Sequence, residues 1–317
     1  MLKKTINILK QISENSIQLG LLRKEVSRLA EKTDEQKILQ GKTLSKLNMR
    51  DVDAILKNIH LAEFKVFSQW GDDGIIQFLV NYLDIQNKTF IEFGVQDYKE
   101  ANTRFLLIND NWKGMIMDGS EGNMRNVKAE KIYWKHNLIA LPLFVTKDNI
   151  NTVMRENGLE GEIGLLHIDI DGNDYWIWKE IKNISPVIVI MEYNSVFGSE
   201  KPWTTPYDKD FDRTNYHHSN LCYGPSLTSL CDLAEEKGYA FIGCNSNGNN
   251  AYFIRKDKMK NLRPLSAAEG FVNSEFRESR DAKGNLTYLA GNERLKAIAG
   301  MQVFNTRTGQ VEKITVL

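Results

Sequence analysis

Cysteine is scarce in the 317-residue sequence. Cys222, Cys231 and Cys244 are an odd set with no CxxC spacing, which argues against a disulfide framework and against a structural zinc site. A reducing, cytoplasmic compartment is therefore expected. Net charge is also missing, because 41 Lys and Arg balance 41 Asp and Glu. The broad basic face of a nucleic-acid-binding domain is not expected. No stretch of 18 apolar residues occurs, so no membrane-spanning helix is expected. At the amino terminus Asn7, Lys10, Gln11, Ser13 and Glu14 interrupt the apolar residues, and no signal-peptide core forms. Neither GxGxxG nor GxxxxGK[ST] is present. Ligands whose phosphates need a glycine-rich cradle, and with them a nucleotide-dependent dehydrogenase, are disfavoured.

What is present suits a globular α/β protein, with 42% hydrophobic residues and a mean hydropathy of −0.40. The length allows one large domain with appendages. Residues 1–45 have no proline, no aromatic residue and only Gly20 and Gly41. Ile8, Ile12, Leu19, Leu22, Val26 and Leu29 fall on a 3-4 spacing there, with Asn15 in a seam position and Thr33 and Gln36 ending the apolar stripe. A stripe that narrow predicts a coiled-coil helix for oligomerisation or partner docking, against the alternatives of a helix lying on its own domain or weakly on a membrane.

From residue 46 to 257 the texture alternates. Thr89-Phe-Ile-Glu-Phe-Gly-Val95, Gly114-Met-Ile-Met-Asp118, Ile163-Gly-Leu-Leu-His-Ile-Asp-Ile170 and Val187-Ile-Val-Ile-Met-Glu192 are short apolar runs rich in acidic residues at their ends. Such runs suit parallel strands buried on both faces. Helical stretches between them (100–109, 122–129, 149–157, 174–184) give βαβ alternation and a doubly wound sheet. Ser226 to Lys237 predicts a helix with Gly238 at its end, followed by a hairpin of 239–244 and 251–255 that closes the sheet with an antiparallel strand. Residues 258–317 are polar and mixed, with a terminal hairpin expected around Asn305 to Gly309.

Ligands of open α/β sheets bind at the carboxyl ends of the strands, so the acidic ends converge on one crevice. Asp118 stands 26 residues after Glu92, about where a nucleoside site places the carboxylate that grips a ribose diol. In His167-Ile-Asp169-Ile-Asp171-Gly-Asn173-Asp174 three carboxylates lie within six residues, and they repel unless a cation or a basic group neutralises them.

The chain resembles class I S-adenosylmethionine-dependent methyltransferases, most closely an FkbM-like group associated with bacterial surface-polysaccharide biosynthesis. The resemblance rests on Phe67-Ser-Gln-Trp-Gly-Asp-Asp-Gly74, Phe90-Ile-Glu-Phe-Gly94, Asn102-Thr-Arg-Phe-Leu-Leu107, Gly114-Met-Ile-Met-Asp-Gly119, His167 to Trp176 and Met191-Glu-Tyr-Asn-Ser195, and covers residues 65–257. It implies a Rossmann-like seven-stranded sheet with a reversed edge strand. It further implies S-adenosyl-L-methionine as cofactor, held by Glu92, Gly94, Asp118, Gly119, Ser120 and Asp169, with Gln69, Asp72 and Asp73 as further candidates to cover it. Helix capping is the alternative for Asp72, Asp73 and Asp118, and a tight turn for Gly94. By likeness to metal-assisted O-methyltransferases, Asp169, Asp171, Glu192 and Asn194 would ligate a divalent ion, Mg2+ by the hardness of the donors. The alternative is a turn and cap around Asp174 with no metal.

Histidine titrates near neutral pH, so His217 or His218, in a loop long enough to act as a lid, is the first candidate for a general base and Asp171 the next. His167 is expected to be packed, and Arg104 to meet an anionic substrate or pair with Glu100. Trp203, Tyr207, Phe211 and Tyr216 are candidates to stack on a sugar. The expected activity is O-methylation of a sugar or glycan hydroxyl, in the cytoplasm or at the inner membrane through a partner. A phosphate-type capsule acceptor and a non-catalytic scaffold are the alternatives.

Overall fold

The computed structural model describes residues 2–316, excluding the side chains of residues 2, 3, 6 and 8. Ile8, counted in the N-terminal stripe, thus lies outside the described side chains. The main sheet consists of β1 (Thr89–Phe93), β2 (Lys113–Asp118), β3 (Leu138–Pro142), β4 (Gly161–Ile168), β5 (Ile184–Glu192), β7 (Tyr239–Cys244) and β8 (Asn250–Arg255), with the two-residue β6 (Trp203–Thr204) outside it. Its order is β3-β2-β1-β4-β5-β8-β7. The first five strands run parallel, and β8 runs antiparallel to both neighbours. This is a Rossmann-like, doubly wound α/β sheet; the reversed strand sits one position in from the edge, and β7 forms the edge itself.

Both faces are covered, which explains why the strand sequences are continuously apolar rather than alternating. Phe90, Ile116 and Ile188 pack on one side with Ile75, Phe78 and Leu79 of the helix Asp72–Tyr82. Ile91, Met117 and Leu166 pack on the other with Trp178 of Asp174–Glu180 and with Leu230 and Leu233 of Leu227–Glu236. Truncating a fully buried ring such as Phe78 or Trp178 to alanine in such a core costs about 3–5 kcal/mol. Ser226 caps Leu227–Glu236 by accepting from the Ser229 N–H, and Gly238 follows in the left-handed region at φ +82°.

The helix expected from residue 100 is confined to Arg104–Asn109. Residues ahead of it form a loop in which Gln96 and Tyr98 have positive φ. The Glu92 carboxylate anchors that loop at the Asn102 and Thr103 N–H groups. β3 was not expected. The terminal hairpin forms as β9 (Gln302–Asn305) and β10 (Gln310–Lys313), and β9 pairs with β6 in a second, three-stranded sheet. Ile298, Val303 and Ile314 pack there with Phe197, Trp203 and Leu221. Of the C-terminal segment 258–317, the described residues 258–316 therefore fold onto the main body.

The N-terminal helix spans Leu2–Asn48, three residues beyond the boundary at 45. Its end docks closely on the body. Gly41 lies where a Cβ would stand 2.6 Å from Val66 and 2.9 Å from Phe105, Ser45 donates to Gln77 Oε1, and Asn48 donates to the Ala62 carbonyl.

Candidate active site

The carboxyl ends of β1, β2, β4 and β5 open into a crevice with two lobes of about 370 and 400 Å3. Gly94, Gln96, Asp169 and Asp171 line both lobes. In the second lobe Asp118 faces Met117, Leu143, Phe144 and Val145, an apolar slot beside one carboxylate. The Gln96 and Ser120 N–H groups and the Asn123 amide all donate to that carboxylate and fix its orientation. Ser120 also caps the helix Glu121–Ala129, and Gly119 lies against Phe144. Gly94 joins the lobes at φ +75°, where a Cβ would stand 1.6 Å from the Asp169 carbonyl oxygen. No other residue fits there.

The first lobe is strongly acidic, because Asp72, Glu92, Glu100, Asp169, Asp171, Glu192 and Glu278 line it against His167 and Arg213. Glu92 is buried and accepts from the Asn102 N–H, from the Thr103 N–H and hydroxyl, and from His167 Nδ1 at 2.9 Å. Burial alone would raise its pKa, but the His167 contact and these donors hold it below the usual carboxylate value. Burial works against the His167 cation in turn, yet Glu92, Asp169 and Asp72 raise its ionisation above the ordinary value. His167 is thus packed, as expected, and forms one unit with Glu92 and Asn102.

Asp169, Asp171 and Glu192 bring one oxygen each within 4.8 Å of one another. Burial and the Asp171 charge push the Asp169 carboxyl up to about 6. Burial, with Asp169, Asp171 and Asp174 close by, raises Glu192 well above the carboxylate range. The His167 ring lies near Asp169, and Arg213 answers the cluster directly. Arg213 stacks on the Tyr223 ring at 3.8 Å, donates from Nη1 to Asp171 at 2.8 Å and from Nε to the Asn220 carbonyl, and leaves Nη2 buried without a partner. Asp174 closes the turn by accepting from the Ile170 and Gly172 N–H groups. Burial and Asp169 lift it to about 7 despite those donors.

Asp72 and Asp73 face different tasks. Asp73 Oδ2 accepts from the Val66, Phe67 and Ser68 N–H groups and from the Ser68 hydroxyl, which sets the loop carrying Gln69 and Trp70 to the rim. Asp72 is fully buried and accepts from Asn245, Asn250 and Tyr252. Asn250, opposite Glu192 in the β5–β8 register, keeps its Oδ1 buried and unpartnered, as Glu192 keeps Oε2.

Several expectations require correction. Asn194 does not join the carboxylate cluster: its amide donates to the Leu221 and Tyr223 carbonyls and accepts from the Val196 N–H. His217 and His218 line neither lobe. His217 Nδ1 instead bonds the Ser219 hydroxyl and its ring stacks on His218, so the same segment sends Arg213 to the crevice. Arg104 is buried, bonds the Tyr98 carbonyl and pairs with Glu130 rather than Glu100. Of the four lid aromatics only Phe211 reaches a lobe wall. Trp203 bonds Glu312 and Tyr216 bonds the Gln302 carbonyl, while Tyr207 packs on Trp176. Arg213, Asn250, Phe276 and Glu278 were not anticipated, and the only signal for Arg213 was the demand for a neutralising charge near Asp171.

The donor set fits a hard divalent cation. Three carboxylate oxygens gather in reach of one point, Arg213 compensates one of them, and Glu192 Oε2 has no protein partner.

No protein-family profile and no curated protein matches the chain. Solved structures resemble it distantly. The O-methyltransferase from Bacillus cereus in complex with SAH is 13% identical over 67% of this chain and 89% of that one, with a TM-score of 0.38. An S-adenosylmethionine-dependent methyltransferase from Clostridium acetobutylicum is 11% identical over 66% and 98%, with a TM-score of 0.38. The N-terminal domain of EvdMO1 with SAH bound is 10% identical over 65% and 94%, with a TM-score of 0.35. At these identities and TM-scores the likeness assigns no activity to this chain.

Proposed function

We propose that the chain is an S-adenosylmethionine-dependent O-methyltransferase acting on a hydroxyl of a sugar or glycan. One observation carries the reading: an apolar slot with an oriented carboxylate, Asp118, opens through Gly94 into a polar, acidic lobe. The slot suits an adenosine, with Asp118 accepting the ribose hydroxyls. The acidic lobe suits a sulfonium and a polyhydroxylated acceptor, whose hydroxyls find buried acceptors at Glu192 Oε2 and Asn250 Oδ1. Trp70, 37% exposed at the rim, offers a face for a sugar ring.

Methyl transfer breaks the sulfur–carbon bond, forms an oxygen–carbon bond and releases the hydroxyl proton. Asp169 receives that proton in this reading, because it lies at the junction of the lobes and is held near 6, a range suited to a base at neutral pH. Asp171 is tied to Arg213 and orients the cluster. If a divalent ion such as Mg2+ were held by Asp169, Asp171 and Glu192, it would lower the pKa of the acceptor hydroxyl, and Asp169 would then serve as ligand in place of proton acceptor. The remaining task of the chain is to hold methyl donor and hydroxyl in line. The unpartnered Nη2 of Arg213 supports a second reading with an anionic, phosphate-type acceptor. A glycan on a lipid carrier would bring the protein to the cytoplasmic face of the inner membrane, and the N-terminal helix is the surface for a further copy or partner. Among the described residues no helix is long and apolar enough to cross a membrane.

Calorimetric titration with S-adenosylmethionine and S-adenosylhomocysteine, with and without Mg2+, tests the reading. Micromolar binding by the wild type and its loss in Asp118→Ala are expected. Absence of binding by either ligand would overturn the assignment, and turnover unchanged in EDTA would remove the metal from it.

A further inference from the structure

We propose that residues 9–30 of the N-terminal helix pair with the same segment of a second copy of this chain in a parallel, in-register, two-stranded coiled coil. The proposal stands apart from the methyl-transfer reading. Ile12, Leu19, Leu22, Val26 and Leu29 form one stripe and are 55–60% exposed. Single exposed apolar residues are ordinary, but a continuous stripe at seam spacing is not.

The chain's own domain does not cover that stripe. The face that docks on the body carries Ile38, Gly41, Ser45 and Asn48. At 100° per residue it lies roughly 90° round the helix from the seam, and Glu31, which pairs with Lys131 of the body, lies further round still, so the seam does not face the surface the helix sits on.

Two features select a second copy as the occupant. Leu9, Ile17 and Leu21 are also exposed but are scattered round the helix and form no second continuous face, whereas the alternate 3-4 spacing of the stripe fits knobs into the holes of another helix. Asn15 interrupts the seam and is exposed. An in-register parallel copy brings its own Asn15 to the same level, and each amide then donates to the other's carbonyl; an apolar partner would leave both groups unsatisfied.

The size of the seam predicts a dissociable pair. Ile12 to Leu29 span about 26 Å of helix, and two such seams remove on the order of 1,000 Å2 from water, near the lower bound for a specific interface. Thr33 and Gln36 end the apolar run, and Lys32 would face Lys37 of the other copy across it, so pairing stops near residue 30.

Light scattering and sedimentation equilibrium on the full chain, from about 1 to 100 µM, test this. The expected mass is twice 36.4 kDa at the upper end, falling toward one copy on dilution. The Leu22→Lys, Val26→Lys double variant should stay at one copy throughout, with the melting temperature of the domain unchanged because both side chains are exposed. Asn15→Cys should give a disulfide-linked dimer on mild oxidation, since seam residues of a parallel pair face themselves. A single copy at 100 µM, a mass of three or more copies, or a dimer that survives the double lysine variant would overturn the proposal. So would a dimer that Asn15→Cys fails to link.

Discussion

Glu192→Gln is predicted to stabilise the metal-free protein at pH 8. The Glu192 carboxyl is buried, has an Oε2 without a partner, and shares a 4.8 Å cluster with Asp169 and Asp171 against the single guanidinium of Arg213. An Asp169 ionisation near 6 against the usual 3.8 corresponds to ~3 kcal/mol disfavouring its charged form in the fold. The sign follows from proton counting. Carboxyls raised in the fold keep protons that the unfolded chain has released between about pH 4 and 7, so their contribution to stability is fully present below about pH 4, falls as pH rises from there, and is lost once pH passes 6 to 7. Glutamine keeps the shape and removes the cost of holding that carboxyl, charged or protonated, in the buried acidic cluster. A gain of ~1–2 kcal/mol at pH 8 in EDTA is expected, or about 2–4 °C in melting temperature, shrinking at pH 5 where the wild type is already protonated. Millimolar Mg2+ or Mn2+ should raise the wild-type melting temperature and leave the variant's unchanged. Differential scanning fluorimetry at both pH values decides it. A variant less stable than wild type at pH 8 in EDTA, or a gap independent of pH, would refute the reasoning.

Gly94→Ala should unfold the strand end, costing at least about 2–3 kcal/mol, because its Cβ would meet the Asp169 carbonyl at 1.6 Å in a left-handed backbone; urea melts measure the cost. His217→Ala and His218→Ala should leave kcat within about threefold, since neither ring lines the crevice. A loss of about 100-fold or more would reinstate a histidine base. Glu92→Gln should cost about 2–3 kcal/mol in chemical denaturation, because it breaks up a buried set of four donors built on one carboxylate.

The strands that were legible in the sequence are those buried on both faces. β1, β2, β4 and β5 announce themselves as apolar runs with acidic ends, and the helix at Ser226 with its hairpin follows from a cap, a glycine and a turn. β3 lies at the sheet edge, half-exposed at Ile139 and Leu141 and closed by Pro142, so its pattern is weak. Asp118, Asp169, Asp171 and Glu192 were legible because strand order alone brings their carboxyl ends together. Arg213 was not, since its partner Asp171 lies 42 residues earlier and only the fold of the lid sends it there. Phe276 and Glu278 were hidden for the same reason, arriving from a segment with no periodic signal. His217 and His218 misled because residue type alone suggested catalysis, while a local bond to Ser219 turns His217 aside.

In the proposed function the Asp118 lobe holds the nucleoside of S-adenosylmethionine. A crystal structure of the protein soaked with S-adenosylhomocysteine tests it most directly. The expected result is ribose hydroxyls within about 2.6–3.2 Å of the Asp118 carboxylate, the adenine between Phe144 and Val145, and the sulfur beside Gly94. Ordered ligand elsewhere on the molecule, with that lobe empty, would contradict it.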